Sequence, residues 1–186
     1  MDTKEEYLVL REEVLHLDTI VNNTINFFYV FMATYLAFSL TQDDTVFLLL
    51  SYVVIIPAYM IVLSRVDVMA RVGGYLKYYH EGKVFKWETR NFEFRKYRIV
   101  KMNYIISSSF PFLLGSIFVL VIHVYRFFVL KELKCPEEIV KLVVQIALFI
   151  SVCIMMYRYR NISTEYYINK WEEYDKNKNY HSKNDT

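Results

Sequence analysis

Four long stretches of the chain are apolar enough to leave water, and what separates them is polar and unevenly charged. The first, about Thr19 to Leu40, opens on Asn22, Asn23, Thr24 and Asn26 before becoming apolar. The second, Thr45 to Ser64, has twenty residues and no charge; at the helical rise that length crosses roughly 30 Å, the thickness of a bilayer's hydrocarbon core. The third runs from about Asn103 to Leu130 and the fourth from about Ile139 to Tyr157. These runs are continuous, not alternating, and only four glycines and three prolines are available to interrupt them. They predict helices and not the strands of a barrel. Ahead of the first span, Tyr7, Leu10, Val14 and Leu17 recur at i, i+3, i+7 and i+10, which predicts a helix running unbroken into it.

The expected fold is therefore an all-α integral membrane protein, with four transmembrane helices and cytoplasmic helical extensions. Its parts are an N-terminal helix (1–18), a first transmembrane hairpin (19–64), a basic middle segment (65–102), a second hairpin (103–157), a polar helix (158–174) and a disordered tail (175–186). Gly73-Gly74 is expected to interrupt the helix that follows span two, and Pro57 to kink the span itself. Gly115-Ser116 is expected to be a packing notch, because small residues let helices approach closely in lipid. Composition agrees with this architecture: 55% of residues are hydrophobic and 18% aromatic, above the usual apolar share of a soluble domain.

Charge sets the topology. Ten of the twenty-two Lys and Arg fall between Arg65 and Lys101, and with those near the termini eighteen lie on one side against four on the other. The positive-inside rule makes the richer side cytoplasmic, with both termini there. In a bacterium this is the inner membrane. The opening eighteen residues are acidic, which excludes a secretory signal, whose first region is basic. Cys135 and Cys153 read as free thiols, too few for a metal site.

Candidate chemistry is sparse. Asp18, Asn22 and Asn26 are four apart and share one helix face, so they are candidates to line a pore. The plainer reading is that they hydrogen-bond between helices or lie at the interface. His123 and Arg126 share a face near the outer end of span three, but no span carries an interior acid to complete a proton relay, so both read as interface anchors. Gln145 is expected to face protein, and Lys141 to snorkel towards the interface. Tyr167, Trp171 and Tyr174 share one face beyond span four. The basic middle segment is interleaved with aromatics, but its acids and the charge bias of membrane proteins argue against direct nucleic-acid binding.

There is no phosphate-cradling glycine loop, zinc-protease histidine pair, serine elbow or Arg-x4-His ribonuclease pattern. No catalytic residues, metal or cofactor are expected; the chain reads as non-enzymatic. Candidate contacts for a partner or signal are Arg71, Tyr79, Glu81, Trp87, Glu88 and Arg90. Their pattern, an Arg followed by Tyr75 and Tyr79, Glu81, then Trp87-Glu88-x-Arg90, resembles small four-span bacterial membrane proteins with a cytoplasmic Trp-Glu motif. Some of these resemble effectors or accessories of antiphage systems, beside CRISPR or nucleotide-signalling operons. The resemblance implies a homo-oligomer that perturbs the bilayer when a cytoplasmic protein or nucleotide signal activates it. The alternative is a membrane-anchored subunit that docks a soluble cytoplasmic partner.

Overall fold

The computed structural model describes residues 3–42, 44–80, 104–129 and 136–184, which form helices and short turns with no strand among them. Helix α1 (Thr3–Leu40) is a single 38-residue helix. With no Gly or Pro in that range, nothing breaks the run into the apolar stretch. Its end is closed by the N–H groups of Thr41 and Gln42, which donate to the carbonyls of Phe38 and Ser39 at 3.0 and 3.3 Å. Asp44 then accepts the backbone N–H of Val46 at 2.8 Å and starts the short helix α2 (Val46–Leu50). Its carboxyl is held below the usual carboxylate range by that bond first and by Lys141 second.

After a turn at Ser51, α3 (Tyr52–Tyr75) contains Pro57 and leads directly into a π-helical turn, Leu76–His80. The helix passes through both glycines where an interruption was expected. A Cβ built on Gly74 would lie 2.7 Å from Tyr167 Cβ and 3.2 Å from the Thr164 carbonyl oxygen. Close approach, not chain breaking, is what demands glycine there.

Helix α4 (Tyr104–Val129) carries Pro111. Helix α5 (Pro136–Tyr159) starts on proline, whose fixed φ and missing N–H suit a first helical position. Glu137 and Glu138 in its first turn complement the helix dipole. The polar helix predicted to continue from span four is instead a separate α6 (Thr164–Asn184). Ser163 caps it by accepting the Tyr166 N–H at 3.1 Å. The predicted disordered tail is also corrected: α6 extends through Asp175 to Asn184. A hydrogen bond from Tyr79 to Asp175 and a Lys176–Glu172 pair at i, i+4 support that turn, which composition alone could not indicate.

Among the described residues, three helical stretches are long and apolar enough to cross a membrane: Val46–His80, Ser107–Phe128 and Pro136–Tyr159. The first has 35 residues, roughly 50 Å of helix, so only part of it fits the hydrocarbon. Four were expected. The fourth, in α1, follows Asn22, Asn23 and Asn26 and is less apolar than the others.

The chain forms two compact units, Met1–Ile20 with Ser64–Asn103 and Asn161–Thr186, and Val21–Leu63 with Tyr104–Arg160. The second, here the apolar unit, has a core of Phe28, Leu48, Ile55, Tyr59, Phe112, Val119 and Val152. Phe112 packs between Phe28 and Tyr59, with ring centroids 4.4 and 5.1 Å away. Gly115 and Ser116 are buried, and a Cβ on Gly115 would meet the Phe28 ring at 2.9 Å, so the notch is real. The first, polar unit buries Tyr7, Leu17, Val66 and Leu76.

The two adjacent glycines of the polar unit make opposite predictions. Gly73 faces Thr164 at an ordinary 3.6 Å, so Gly73→Ala should be neutral or stabilising by up to about 1 kcal/mol. Gly74→Ala should cost about 1–3 kcal/mol, because the backbone of α6 must move. Thermal unfolding in detergent, with protease cleavage of α6 as a local readout, separates the two.

Candidate functional site

The polar unit is held by phenol–carboxylate bonds among its three chain segments. Tyr75 donates to Glu6 at 2.8 Å, Tyr79 to Asp175 at 2.7 Å and Tyr167 to Asp67 at 2.5 Å. Arg71 pairs with the other oxygen of Asp67 at 3.0 Å and lies over the Tyr167 ring, 5.8 Å from its centroid. Trp171 stands edge-on to Tyr75 at 5.4 Å, and its indole N–H points at the Arg71 carbonyl. The expected aromatic face of α6 is therefore used for packing at Tyr167 and Trp171, while Tyr174 stays exposed.

His80 is buried beside Tyr7 and Tyr75, and its Nε2 lies 3.7 Å from Glu6, beyond hydrogen-bond reach. Each carboxylate in this cluster already accepts a phenol. That suits a structural joint. No group of three or more His, Cys, Asp or Glu among the described residues can hold a metal.

Of the sequence-predicted contacts, Arg71 and Tyr79 thus belong to one cluster, in which Glu6, Asp67 and Asp175 are their unforeseen partners. The signal for Asp67–Arg71 was present as an i, i+4 acid–base pair. Glu6 and Asp175 come from distant segments and left none. Glu81, Trp87, Glu88 and Arg90 lie outside the described residues.

Two of the three pore candidates, Asn22 and Asn26, fall on the uncovered side of α1. Asp18, in the polar unit, is half-buried. In the apolar unit Asn22 and Asn26 are exposed, alongside Phe27, Tyr29 and Val30, while Val21, Phe28 and Met32 occupy the packed side.

The rest of the apolar unit's polarity is internal or at one end. At that end Lys141 joins Asp44, Glu137 and Glu138 at 3.0, 3.1 and 2.7 Å, and Thr45 donates to Glu138 at 2.5 Å. Lys141, expected to snorkel to the interface, is held by three acids near the start of its helix. Arg126 donates to the carbonyls of Gln42, Leu40 and Ser39 at 2.7, 3.0 and 3.4 Å, capping the C-terminus of α1. Deeper in, His123 is fully buried, which corrects its reading as an interface anchor. Its Nδ1 is hydrogen-bonded to Oε1 of Gln145, also fully buried as expected. Tyr52 donates to the Ser116 carbonyl at 3.3 Å.

Compared with protein-family models, with curated proteins and with solved structures, the chain has no match.

Burial, and next the hydrogen bond to Asp67, pushes the Tyr167 hydroxyl up to about 12 from its ordinary 10.0. The protonated phenol is thus favoured by folding. Its contribution is complete below about pH 10 and is lost as pH rises towards about 12. Tyr167→Phe should lower stability by about 1–2 kcal/mol at neutral pH. It should also flatten the alkaline limb of the stability curve, as measured by amide exchange in α6 across that range.

Proposed function

We propose that this protein crosses the bilayer four times, with α1 as the fourth span, and self-assembles through the uncovered face of α1 into a polar conduit. The observation that carries this reading is the exposure of Asn22 and Asn26 beside Phe27 and Val30, which are 63% and 68% exposed. Carboxamides set among large exposed apolar side chains suit a face shared by a second copy and water. Both termini and the basic segment face the cytoplasm under the positive-inside rule, in a bacterial inner membrane. The protein is non-enzymatic in this reading. A protein or nucleotide signal received by the polar unit and the residues around Trp87 opens the conduit. A role as a membrane-perturbing effector in antiviral defence rests on the resemblance of the Arg71–Arg90 pattern alone.

A second reading, a membrane anchor that docks a soluble partner, is favoured by the polar unit itself. Three distant segments are joined there into one body that leaves Tyr166 and Tyr174 exposed. The two readings part on mutation. Asn22→Leu with Asn26→Leu should abolish ion flux from liposomes under the first and leave partner recovery intact. Replacing Lys83, Lys86, Arg90 and Arg95 together should abolish partner recovery under the second. A monomer in mild detergent together with the absence of flux in every state tested would defeat the conduit.

A further inference from the structure

Two arginines stand where α5 leaves its apolar run. Between Glu138 and Glu165 the sequence holds no Asp or Glu, so Arg158 and Arg160 belong to a stretch that has no acid of its own. Both are exposed, and Arg158 has no ion-pair partner among the described residues. The chain turns at this point: the Arg160 N–H donates to the Tyr157 carbonyl at 3.4 Å, which brings residue 160 back alongside 157. The Arg160 guanidinium lies over the Tyr157 ring, 3.9 Å from its centroid, and its Nη2 donates to the Tyr157 hydroxyl at 3.3 Å. A stacked guanidinium gives its flat face to the ring and keeps its N–H groups on the rim.

An uncovered apolar stripe leads up to these arginines. Val143, Ala147, Ile150 and Ile154 recur at steps of four, three and four, and so share one face of α5. Ala147 is exposed, and the three branched residues are 60%, 49% and 59% exposed. Tyr157 follows Ile154 by three and Arg158 follows it by four, so both close the same stripe. From Val143 to Ile154 is roughly 16 Å of helix, about half of a hydrocarbon core and therefore about one leaflet.

A second copy does not suit this face. Copies inserted in one orientation would pack α5 against α5 in parallel, setting both pairs of arginines together with no acid between Glu138 and Glu165 to separate them. An anion with an apolar tail suits it. A phosphodiester offers two free oxygens that a guanidinium fork meets with paired N–H bonds. The Tyr157 hydroxyl, which accepts from Arg160, has its own O–H to donate to a phosphate oxygen. We infer that the Tyr157–Arg158–Arg160 end of α5 binds a phospholipid of net negative charge, its phosphate on the arginines and one acyl chain along Ile154, Ile150 and Val143. Net charge is the criterion, because a zwitterionic lipid carries the same phosphate with an ammonium that the arginines repel. The inference rests on α5 crossing the bilayer with this end at the cytoplasmic surface, as in the function proposed above, and does not depend on a conduit through α1.

The test is native mass spectrometry of the full chain released from nanodiscs of phosphatidylcholine containing a minority of phosphatidylglycerol. The expected result is one phosphatidylglycerol retained per protomer in preference to phosphatidylcholine. Arg158→Gln with Arg160→Gln should lower that retention by about tenfold, the loss expected of two charge-assisted contacts. Arg158→Lys with Arg160→Lys keeps the charge and loses the fork, so it should retain an intermediate share. Ile150→Ala with Ile154→Ala should lower retention with both arginines present, and excess inorganic phosphate should not displace the lipid. Equal retention of the two lipids, unchanged retention in the glutamine variant, displacement by inorganic phosphate, or a dimer that carries no phosphatidylglycerol would each overturn the inference. Release of the chain from vesicles by an alkaline carbonate wash would overturn it together with membrane insertion. The readout involves no ion flux, so failure of this site and failure of the conduit are separate results.

Discussion

A polar group placed among apolar helices must be satisfied by the protein, because apolar surroundings offer nothing in exchange. In the apolar unit this is met in two ways. Small hydroxyls bond back to their own helix: Ser39 to the Tyr35 carbonyl and Ser116 to Phe112, both at 2.8 Å, and Ser151 to Leu148 at 2.7 Å. These bonds need no neighbour, so the residues remain small enough to sit at a contact. Large or charged groups cannot satisfy themselves. Arg126 therefore takes the carbonyls left over at the end of α1, and Lys141 takes three carboxylates. Both sit near helix ends, where such partners exist.

The polar unit follows a different logic. Where water competes, an ion pair on the surface contributes little. Besides such pairs the unit uses phenols: Tyr75, Tyr79 and Tyr167 each bring a ring that packs and a hydroxyl that reaches a carboxylate. One side chain thus supplies buried area and a directed, charge-assisted bond. The abundance of tyrosine, seventeen residues, is partly accounted for by this use.

What the sequence made legible follows from how local each cause is. The unbroken α1 was readable because it depends only on the absence of breakers and on a spacing within one segment. The notch at Gly115-Ser116 was readable because small residues have few other uses in an apolar run. Gly73-Gly74 misled, since a glycine required by an approaching helix looks in one dimension like a glycine that ends one. His123 misled for a related reason. A buried histidine suggests an acid within the spans, whereas its partner is the neutral amide of Gln145, twenty-two residues away. The extension of α6 past Tyr174 was hidden because its anchor, Tyr79, is contributed by α3's π-helical turn.

The status of α1 shows why an average over residues is a poor guide to a helix at a boundary. Hydropathy summed along it counts Asn22, Asn23 and Asn26 against insertion. Any surrounding, however, meets a helix face by face. The side carrying Val21, Phe28 and Met32 is covered within the apolar unit, so its apolarity serves packing and not solvation. The uncovered side mixes Asn22 and Asn26 with Phe27, Tyr29 and Val30. A face wholly for lipid would exclude the asparagines, and a face wholly for water would exclude Phe27 and Val30. The proposed face, shared between a neighbouring copy and a wet interior, would accommodate both, and would lower the mean hydropathy of α1 relative to the other three stretches.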